Sequence, residues 1–539
     1  MHPDERNMAD ALSQLTCQTN NLNWQNLDLK NCFNPHFFAY GQLPLYLGYL
    51  LIFIFKLINH QVNFFDFGKF SISFDEATIA LRIISAFSSV VLGIIVIKII
   101  KIINEKIDWA TVFLIIFSPF AIAYSHFGTT EALLMLFYTY LLYLGLIFLD
   151  NQISDFFYIL KSGFILGLAL STKISSLIFF GLVIFIIFFK KVNFKRSMPL
   201  IYMFVIKAVD LIFLIFITSL IFLIFSFQNL VSWPEFLSSL DYESGVGLGK
   251  YVVFYTQQFV ESVPVIFQII KIIPYALGGI GVIGLISLIG LISQIRKKEW
   301  VLIAAFLIYF LPNGFVFAKW TRFIAPVFPI LLILGIMLFE RIKIIRVIKV
   351  IIIILLIIPG IFYLKIYLQS DIRFQASKWI FENIPENSYI LSETANVIDL
   401  PLRYNNYNGY KSYKYISFDF YNLDKSPSLQ EQLKKHLLQA DYIIVPSRRI
   451  FANYTCLWPE GKNTLDKLVY KKNRCQNLKK DYPLVNDYYE KLFSGKLGFK
   501  LIKKFTVSNI IDDEKAEETW SVFDHPVIRV YERVKKLKS

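Results

Sequence analysis

Apolar runs of about twenty residues recur along this chain, each long enough to cross a hydrocarbon core of about 30 Å as a helix. Backbone groups in lipid must satisfy one another, so only helices or closed barrels can span it, and no barrel-like alternation appears. Only 18% of the 539 residues are charged, and the mean hydropathy is +0.52. The pattern predicts a polytopic α-helical membrane protein, with the lipid bilayer as its first partner. The net charge of +15 gathers largely in short loops beside the runs. Membrane orientation accounts for it there, and no nucleic acid is implied.

Ten crossings are expected: 79–98, 109–126, 131–149, 156–172, 174–190, 203–225, 272–295, 300–317, 323–340 and 350–368. With the start of the chain outside, five short loops face the cytoplasm: 98–106, 150–162, 190–199, 296–299 and 340–349. They hold 15 Lys or Arg in 46 residues, against 9 in about 135 outside ahead of the last crossing. The run 42–58 carries Pro44 and Lys56, and counting it as a crossing would upset the parity. It reads instead as a helix lying on the outer surface. The run 163–189 is interrupted by Lys173. A single span would bury that lysine at a cost of about 2.5–3.5 kcal/mol. Two short crossings meeting at Lys173 on the outer face avoid this. The chain then divides into a first extracytoplasmic loop (1–78), a helical bundle (79–368) and an extracytoplasmic soluble α/β domain (369–539). In that domain 373–383 reads as an amphipathic helix. Residues 441–446 and 521–531 are apolar runs, and 488–507 reads as a helix, a Gly turn and a strand.

The four cysteines, Cys17, Cys32, Cys456 and Cys475, all fall on the outer side. An even number on an oxidising face implies disulfides, and the local pairs Cys17–Cys32 and Cys456–Cys475 close their loops at the least entropy. Three connectivities exist, and four unpaired thiols are the alternative.

Few outer groups near the bundle can do chemistry. His2-Pro3-Asp4-Glu5 is an acidic string on the first outer segment, and Glu131 begins an outer helix end in HFGTTEALLMLF. A carboxylate at a membrane edge is costly and so a functional candidate. Glu131 equally suits the first turn of a helix behind Thr130, and an acidic string near a terminus is often a solvated tail. Arg82, Lys173 and Arg322 lie where a lipid phosphate would rest, with snorkelling toward headgroups as the plainer account. The outer loop 226–271 mixes aromatics, amides and carboxylates as a sugar-binding surface would, and as interface anchors also do.

Several of these segments together resemble the membrane glycosyltransferases of the C superfamily, in particular the protein mannosyltransferase and lipid A aminoarabinose transferase branch. HPDE resembles the acidic motif of their first outer loop, and FNPHFFAYGQLPLYL the interfacial segment after it. SPFAIAYSHFGTTEALLMLFYTYLLYL resembles the segment with the second outer acidic residue. GFILGLALSTKISSLIFF resembles the Gly-Leu-Ala…Lys junction, and TRFIAPVFPILLILG the Arg-aromatic…Pro segment. The resemblance implies transfer of a hexose or pentose from a polyprenyl-phosphate donor to an acceptor hydroxyl, with inversion, on the outer face of the cell (inner) membrane. It implies Asp4 as general base, Glu5 as its tuner or an acceptor contact, and Glu131 as an acceptor contact or ligand of a possible divalent metal. Lys173, Arg322 and Arg82 would hold the donor phosphate. It gives the outer domain, ending AEETWSVFDHPVIRVYER, no catalytic role. Members carry a membrane helix before the acidic motif, so a full-length form with eleven spans is expected. A transporter or flippase of lipid-linked saccharides is the alternative. It would place polar sites near the bilayer midplane, often with inverted repeats, and neither pattern is visible.

Overall fold

The computed structural model describes residues 2–17, 31–104, 108–191, 200–290, 297–342, 345–394, 399–402, 412–459, 464–507 and 512–534. A short helix α1 (Pro3–Ser13) comes first, capped by the His2 ring, whose Nδ1 accepts from the Asp4 N–H at 3.2 Å. Next are α2 (Leu43–Ile58), α3 (Phe74–Asn104), α4 (Trp109–Ile116), α5 (Pro119–His126) and α6 (Glu131–Leu149). They are followed by α7 (Asp155–Thr172), α8 (Phe179–Lys191) and α9 (Leu200–Phe225). The segment 226–271 carries α10 (Gln228–Val231), α11 (Trp233–Leu248) and α12 (Ile266–Lys271). The bundle closes with α13 (Ile273–Leu277), α14 (Gly279–Gly290), α15 (Lys297–Phe315), α16 (Phe328–Arg341) and α17 (Arg346–Leu368).

Each predicted crossing holds helix, although residues 291–295 lie outside the described residues. Among the described residues five helices (α3, α6, α7, α9 and α17) are long and apolar enough to cross a membrane, or six with α4 and α5 taken as one span bent by 48°. The chain is a mostly helical, multi-pass membrane protein with a small C-terminal sheet domain.

The two ends of the bundle separate the polar residues as the charge pattern requires. At one end Glu340 accepts from Asn104 (2.5 Å) and Thr111 (2.8 Å). Lys298 meets Asp150 at 2.8 Å, Arg341 pairs with Glu299, and Lys190 meets Asp155 at 3.3 Å. Residues from all five basic loops therefore share that end. The unplaced parts of loops 98–106, 190–199, 296–299 and 340–349 lie outside the described residues. The Lys190–Asp155 pair also returns the end of α8 to the start of α7, so the two helices run back to back. The turn between them is Lys173, in extended conformation, followed by a 3-10 turn (Ile174–Ile178). α2 begins where the Gly41 N–H donates to the Thr172 carbonyl, and ends where Lys56 pairs with Glu76 at 2.9 Å. Both contacts are at the opposite end from the basic loops, so α2 lies across the bundle rather than through it.

Close helix approach in lipid needs small residues, because apolar side chains gain little by leaving lipid for one another. Gly163 and Gly167 of α7 meet Ile217 and Ile221 of α9, where an added Cβ would come within 3.0 Å and 2.5 Å of those side chains. Thr218 donates to the Gly163 carbonyl across the seam at 3.2 Å.

The C-terminal unit starts with α18 (Ile372–Asn383), capped by Asp371, which accepts from the Arg373 N–H at 2.8 Å. Its sheet consists of β1 (Tyr389–Glu393), β2 (Lys414–Phe418), β3 (Tyr442–Val445), β4 (Phe499–Phe505) and β5 (Ile528–Arg533). The order is β2-β1-β3-β5-β4, with β1 parallel to β2 and β3, and β5 antiparallel to β3 and β4. The predicted helix, Gly turn and strand are the helix Pro483–Phe493, Gly495 and Gly498 (φ +76° and +81°), and β4. Positive φ at both turn positions is what glycine permits. Cys17 is bonded to Cys32, and Cys456 to Cys475.

One group in this unit couples its folding to pH. Glu393, at the end of β1, is almost fully enclosed, and Tyr489 donates to it at 2.5 Å. Burial pushes its carboxyl up to about 8, against the pull of the Tyr489 hydroxyl and Arg529. The folded unit therefore holds a proton that the unfolded chain releases near the ordinary carboxylate range. This contribution to stability is complete below about 4.5 and is lost as pH rises through about 8. Glu393→Gln should stabilise the domain at pH 9 relative to wild type and leave little difference at pH 4.5, read by denaturant unfolding of the full-length chain.

Candidate active site

Four chain junctions meet at the end of the bundle opposite the basic loops. They are the N-terminus of α1, the α5–α6 link, the α7–Lys173 turn and the loop leading into α16. Charged side chains there are ringed by apolar helices, so each must find a partner or shed its charge. The three expected carboxylates and the three expected cations pair one to one.

Glu5, fully buried on the first turn of α1, accepts two bonds from Arg82 of α3, Nε at 2.6 Å and Nη2 at 3.0 Å. The Gly128 N–H of the α5–α6 link donates to the same carboxylate at 2.9 Å. An alanine at 128 would place its Cβ 2.7 Å from the Leu81 Cβ, so only glycine lets the link come this close. A carboxylate with this many donors is a clasp joining three elements. The two roles expected for this pair, an acceptor contact for Glu5 and a phosphate contact for Arg82, find their groups already engaged with each other.

Asp4, one residue earlier, turns to the other side of α1 and pairs with Arg322. Arg322 also donates to the Tyr40 hydroxyl at 3.2 Å, and its guanidinium lies 4.7 Å from the Trp320 ring centre. The third pair is Lys173 with Glu131, at 3.9 Å. Glu131 is buried at the start of α6, and the Thr130 hydroxyl donates to it at 3.3 Å. Lys173 lies 5.0 Å from the Tyr40 ring and 5.4 Å from the Phe323 ring. Tyr40 thus separates two cations, one on its hydroxyl and one on its face.

Asp4 and Arg322 open onto a cleft of about 470 Å³ whose lining includes His2, Tyr40, Glu243, Tyr255, Trp320, Arg449, Glu518 and Phe523. A narrow space of about 20 Å³ behind His2 and Arg322 reaches Glu131. The loop 226–271, read as a carbohydrate surface, contributes Glu243, Phe254 and Tyr255 to the cleft. The C-terminal domain contributes one wall, although the resemblance gives it no part. Arg449 pairs with Glu518 at 2.7 Å, and the guanidinium lies between the Phe254 and Phe523 rings at 5.4 and 5.2 Å. Burial lifts the Glu518 carboxyl above its usual range, opposed by Arg449. The signal for this wall in the sequence was the paired Glu517-Glu518 ahead of Thr519-Trp520. Only the residue types were visible, not the face they meet. Tyr40 and His2 sat inside quoted motifs without an assigned part.

The donor set around Glu131 does not suit a divalent ion, since its near neighbours are a hydroxyl and an ammonium. Among the described residues no group of three or more His, Cys, Asp or Glu is gathered for one.

Residues 69–229 match the family described as dolichyl-phosphate-mannose-protein mannosyltransferase, a stretch that contains Arg82, Glu131 and Lys173. This match bears out the likeness to membrane glycosyltransferases of the C superfamily. Among solved structures, the chain is similar to ArnT from Cupriavidus metallidurans bound to undecaprenyl phosphate, at 11% identity and TM-score 0.44, over 82% of this chain and 88% of that one. It is similar as well to the Archaeoglobus fulgidus oligosaccharyltransferase tethered with an acceptor peptide, at 11% identity and TM-score 0.44, over 98% of this chain and 84% of that one. The comparison with curated proteins returns no match.

Glu5→Ala should lower stability by about 3 kcal/mol, the low end for a broken buried pair because Arg82 is one third exposed. Arg82→Ala should cost more, because it leaves the fully buried Glu5 carboxylate with only the Gly128 N–H, and the double variant should lose less than the sum of the two. Denaturant midpoints of the four proteins check this coupling.

Proposed function

We propose that this chain transfers a sugar from a polyprenyl-phosphate donor to an acceptor hydroxyl at the outer face of the cell membrane. The observation that carries the reading is the Asp4–Arg322 pair on the cleft, with Glu131–Lys173 behind it. A base and two cations within one enclosed site are the groups such a transfer needs.

The chemistry follows from the charges. A donor phosphate entering the site is a competing anion for Arg322 and Lys173, and a guanidinium fork suits phosphate as well as carboxylate. When the phosphate takes Arg322, Asp4 is released from its pair and its free oxygen becomes available to the acceptor. Asp4 then accepts the acceptor hydroxyl proton. The acceptor oxygen forms a bond to the anomeric carbon from the face opposite the phosphate. The bond from that carbon to the phosphate oxygen breaks, and its electron pair leaves with the phosphate, so the anomeric configuration inverts. Fixed cations stabilise the charge that develops on the departing phosphate, and an aligned base contributes about 10²–10⁴-fold.

Glu131 keeps Lys173 oriented until the phosphate arrives and can then receive a hydroxyl of the acceptor. Glu5 and Arg82 act as the strut that fixes the first turn of α1, holding Asp4 at the cleft. The domain boundaries near 78 and 368 fit this scheme, with the loop and the outer domain enclosing the site from above the bundle.

Asp4→Asn should abolish sugar transfer in membranes supplied with a polyprenyl-phosphate sugar while leaving expression intact; wild-type turnover would remove Asp4 from the mechanism. Arg322→Ala and Lys173→Ala should raise the KM for donor far more than that for acceptor, and unchanged donor kinetics would count against the phosphate role.

A further inference from the structure

Glu517 belongs to the outer domain, yet its carboxylate is spent on the bundle side of the site. It is 1% exposed. One oxygen accepts from the Thr321 N–H at 3.1 Å, the Thr321 hydroxyl at 2.8 Å and the Thr519 hydroxyl. The other accepts from the Gln258 amide at 2.8 Å and the Thr519 N–H at 3.1 Å. A carboxylate offers about four lone-pair sites, so these donors leave nothing over for a substrate.

The target of this grip is the residue before Arg322. Thr321–Phe323 is a single 3-10 turn whose preceding residue, Trp320, provides no side-chain cap. One turn has no internal ladder to hold it, and its leading N–H groups are orphans that need an acceptor. Glu517 supplies that acceptor from another part of the chain. Its own N–H donates to the Lys271 carbonyl at 2.8 Å, while the Arg448 guanidinium holds the adjoining Ala516 carbonyl at 2.6 Å. The Gln258 amide completes the frame, its oxygen accepting from the Glu518 N–H at 3.1 Å.

We propose that Glu517 is the positioning residue for Arg322, a remote cap that fixes the Thr321–Phe323 turn so that the guanidinium meets the donor phosphate. This rests on the donor-phosphate reading of Arg322 given above. Glu517 touches no reacting atom in this scheme, and it ties the outer domain to the step that takes place beneath it. A simple staple between domains predicts something else: lost stability without a change in phosphate affinity.

The test uses the full-length chain in detergent with a free polyprenyl phosphate as probe, its affinity read by native mass spectrometry and unfolding followed in parallel. Glu517→Gln, which turns one acceptor into a donor facing other donors, should weaken binding about tenfold. Thr321→Val, which keeps the backbone N–H and loses the hydroxyl, should weaken it by less. Arg448→Ala loosens the same segment without touching Thr321, and should lower the unfolding temperature with little effect on affinity. Arg322→Ala serves as the reference. If it binds the probe like wild type, the donor-site reading falls and this inference with it. If Arg322→Ala loses affinity while Glu517→Gln binds like wild type, the inference alone is overturned. Should Glu517→Gln fail to fold, unchanged affinity in Thr321→Val overturns it equally. Equal losses of affinity in Arg448→Ala and Glu517→Gln would overturn the specific role of Glu517, since any loosening of this segment would then lower affinity.

Discussion

Charge pairing at one end of an apolar bundle is the constraint on which the rest of this molecule depends. Three carboxylates and three cations sit among helices that face lipid, where an unmatched charge is expensive and an opposite charge nearby offsets much of that cost. The pairs differ in what they leave free. Glu5–Arg82 is closed, since two guanidinium bonds and a backbone N–H occupy the carboxylate. Asp4–Arg322 borders open space, and Glu131–Lys173 is held at 3.9 Å, longer than a direct bond. One closed pair beside two that can exchange partners makes a site that is rigid where α1 is anchored and adaptable where an anion can enter.

This arrangement ties together parts of the chain that composition keeps separate. α1 is short, yet its first turn contacts α3, the α5–α6 link and the Arg322 loop. The outer domain has its own sheet and two apolar clusters of its own. Its segment 516–523 nevertheless reaches the bundle, where Tyr363 of α17 packs on Trp520 at 4.9 Å. The domain is built into the floor below it.

Much of this was legible in the sequence, for a physical reason: a charge within an apolar run is rare, and rarity marks it. Glu131, Lys173, Arg82 and Arg322 stood out in this way, as did the break at Lys173 and the unsuitability of 42–58 as a crossing. Helix and strand in the outer domain followed from periodicity and from the glycines before β4. Who pairs with whom did not follow. Arg82 lies 77 residues from Glu5, and Gln258 lies 259 from Glu517, distances over which pattern carries no information. Donor and acceptor roles could be sorted by sign alone, carboxylates to one and cations to the other. The fold instead matches each to its opposite. The apolar wall of Phe254 and Phe523 around Arg449 is a meeting of two distant loops, and nothing local in either one announces it.

The margin of the outer sheet has a consequence of its own. β4 is the edge strand of the order, and among the described residues no further strand pairs with it. Lys500, Lys503 and Lys504 stand exposed along it, and its register slips between Leu501 and Lys503. A membrane confines its proteins to two dimensions, so neighbouring copies collide with their tops side by side. Repulsion between ammonium groups and an irregular backbone discourage one sheet from growing into the next. Crowding can then be tolerated without fibres.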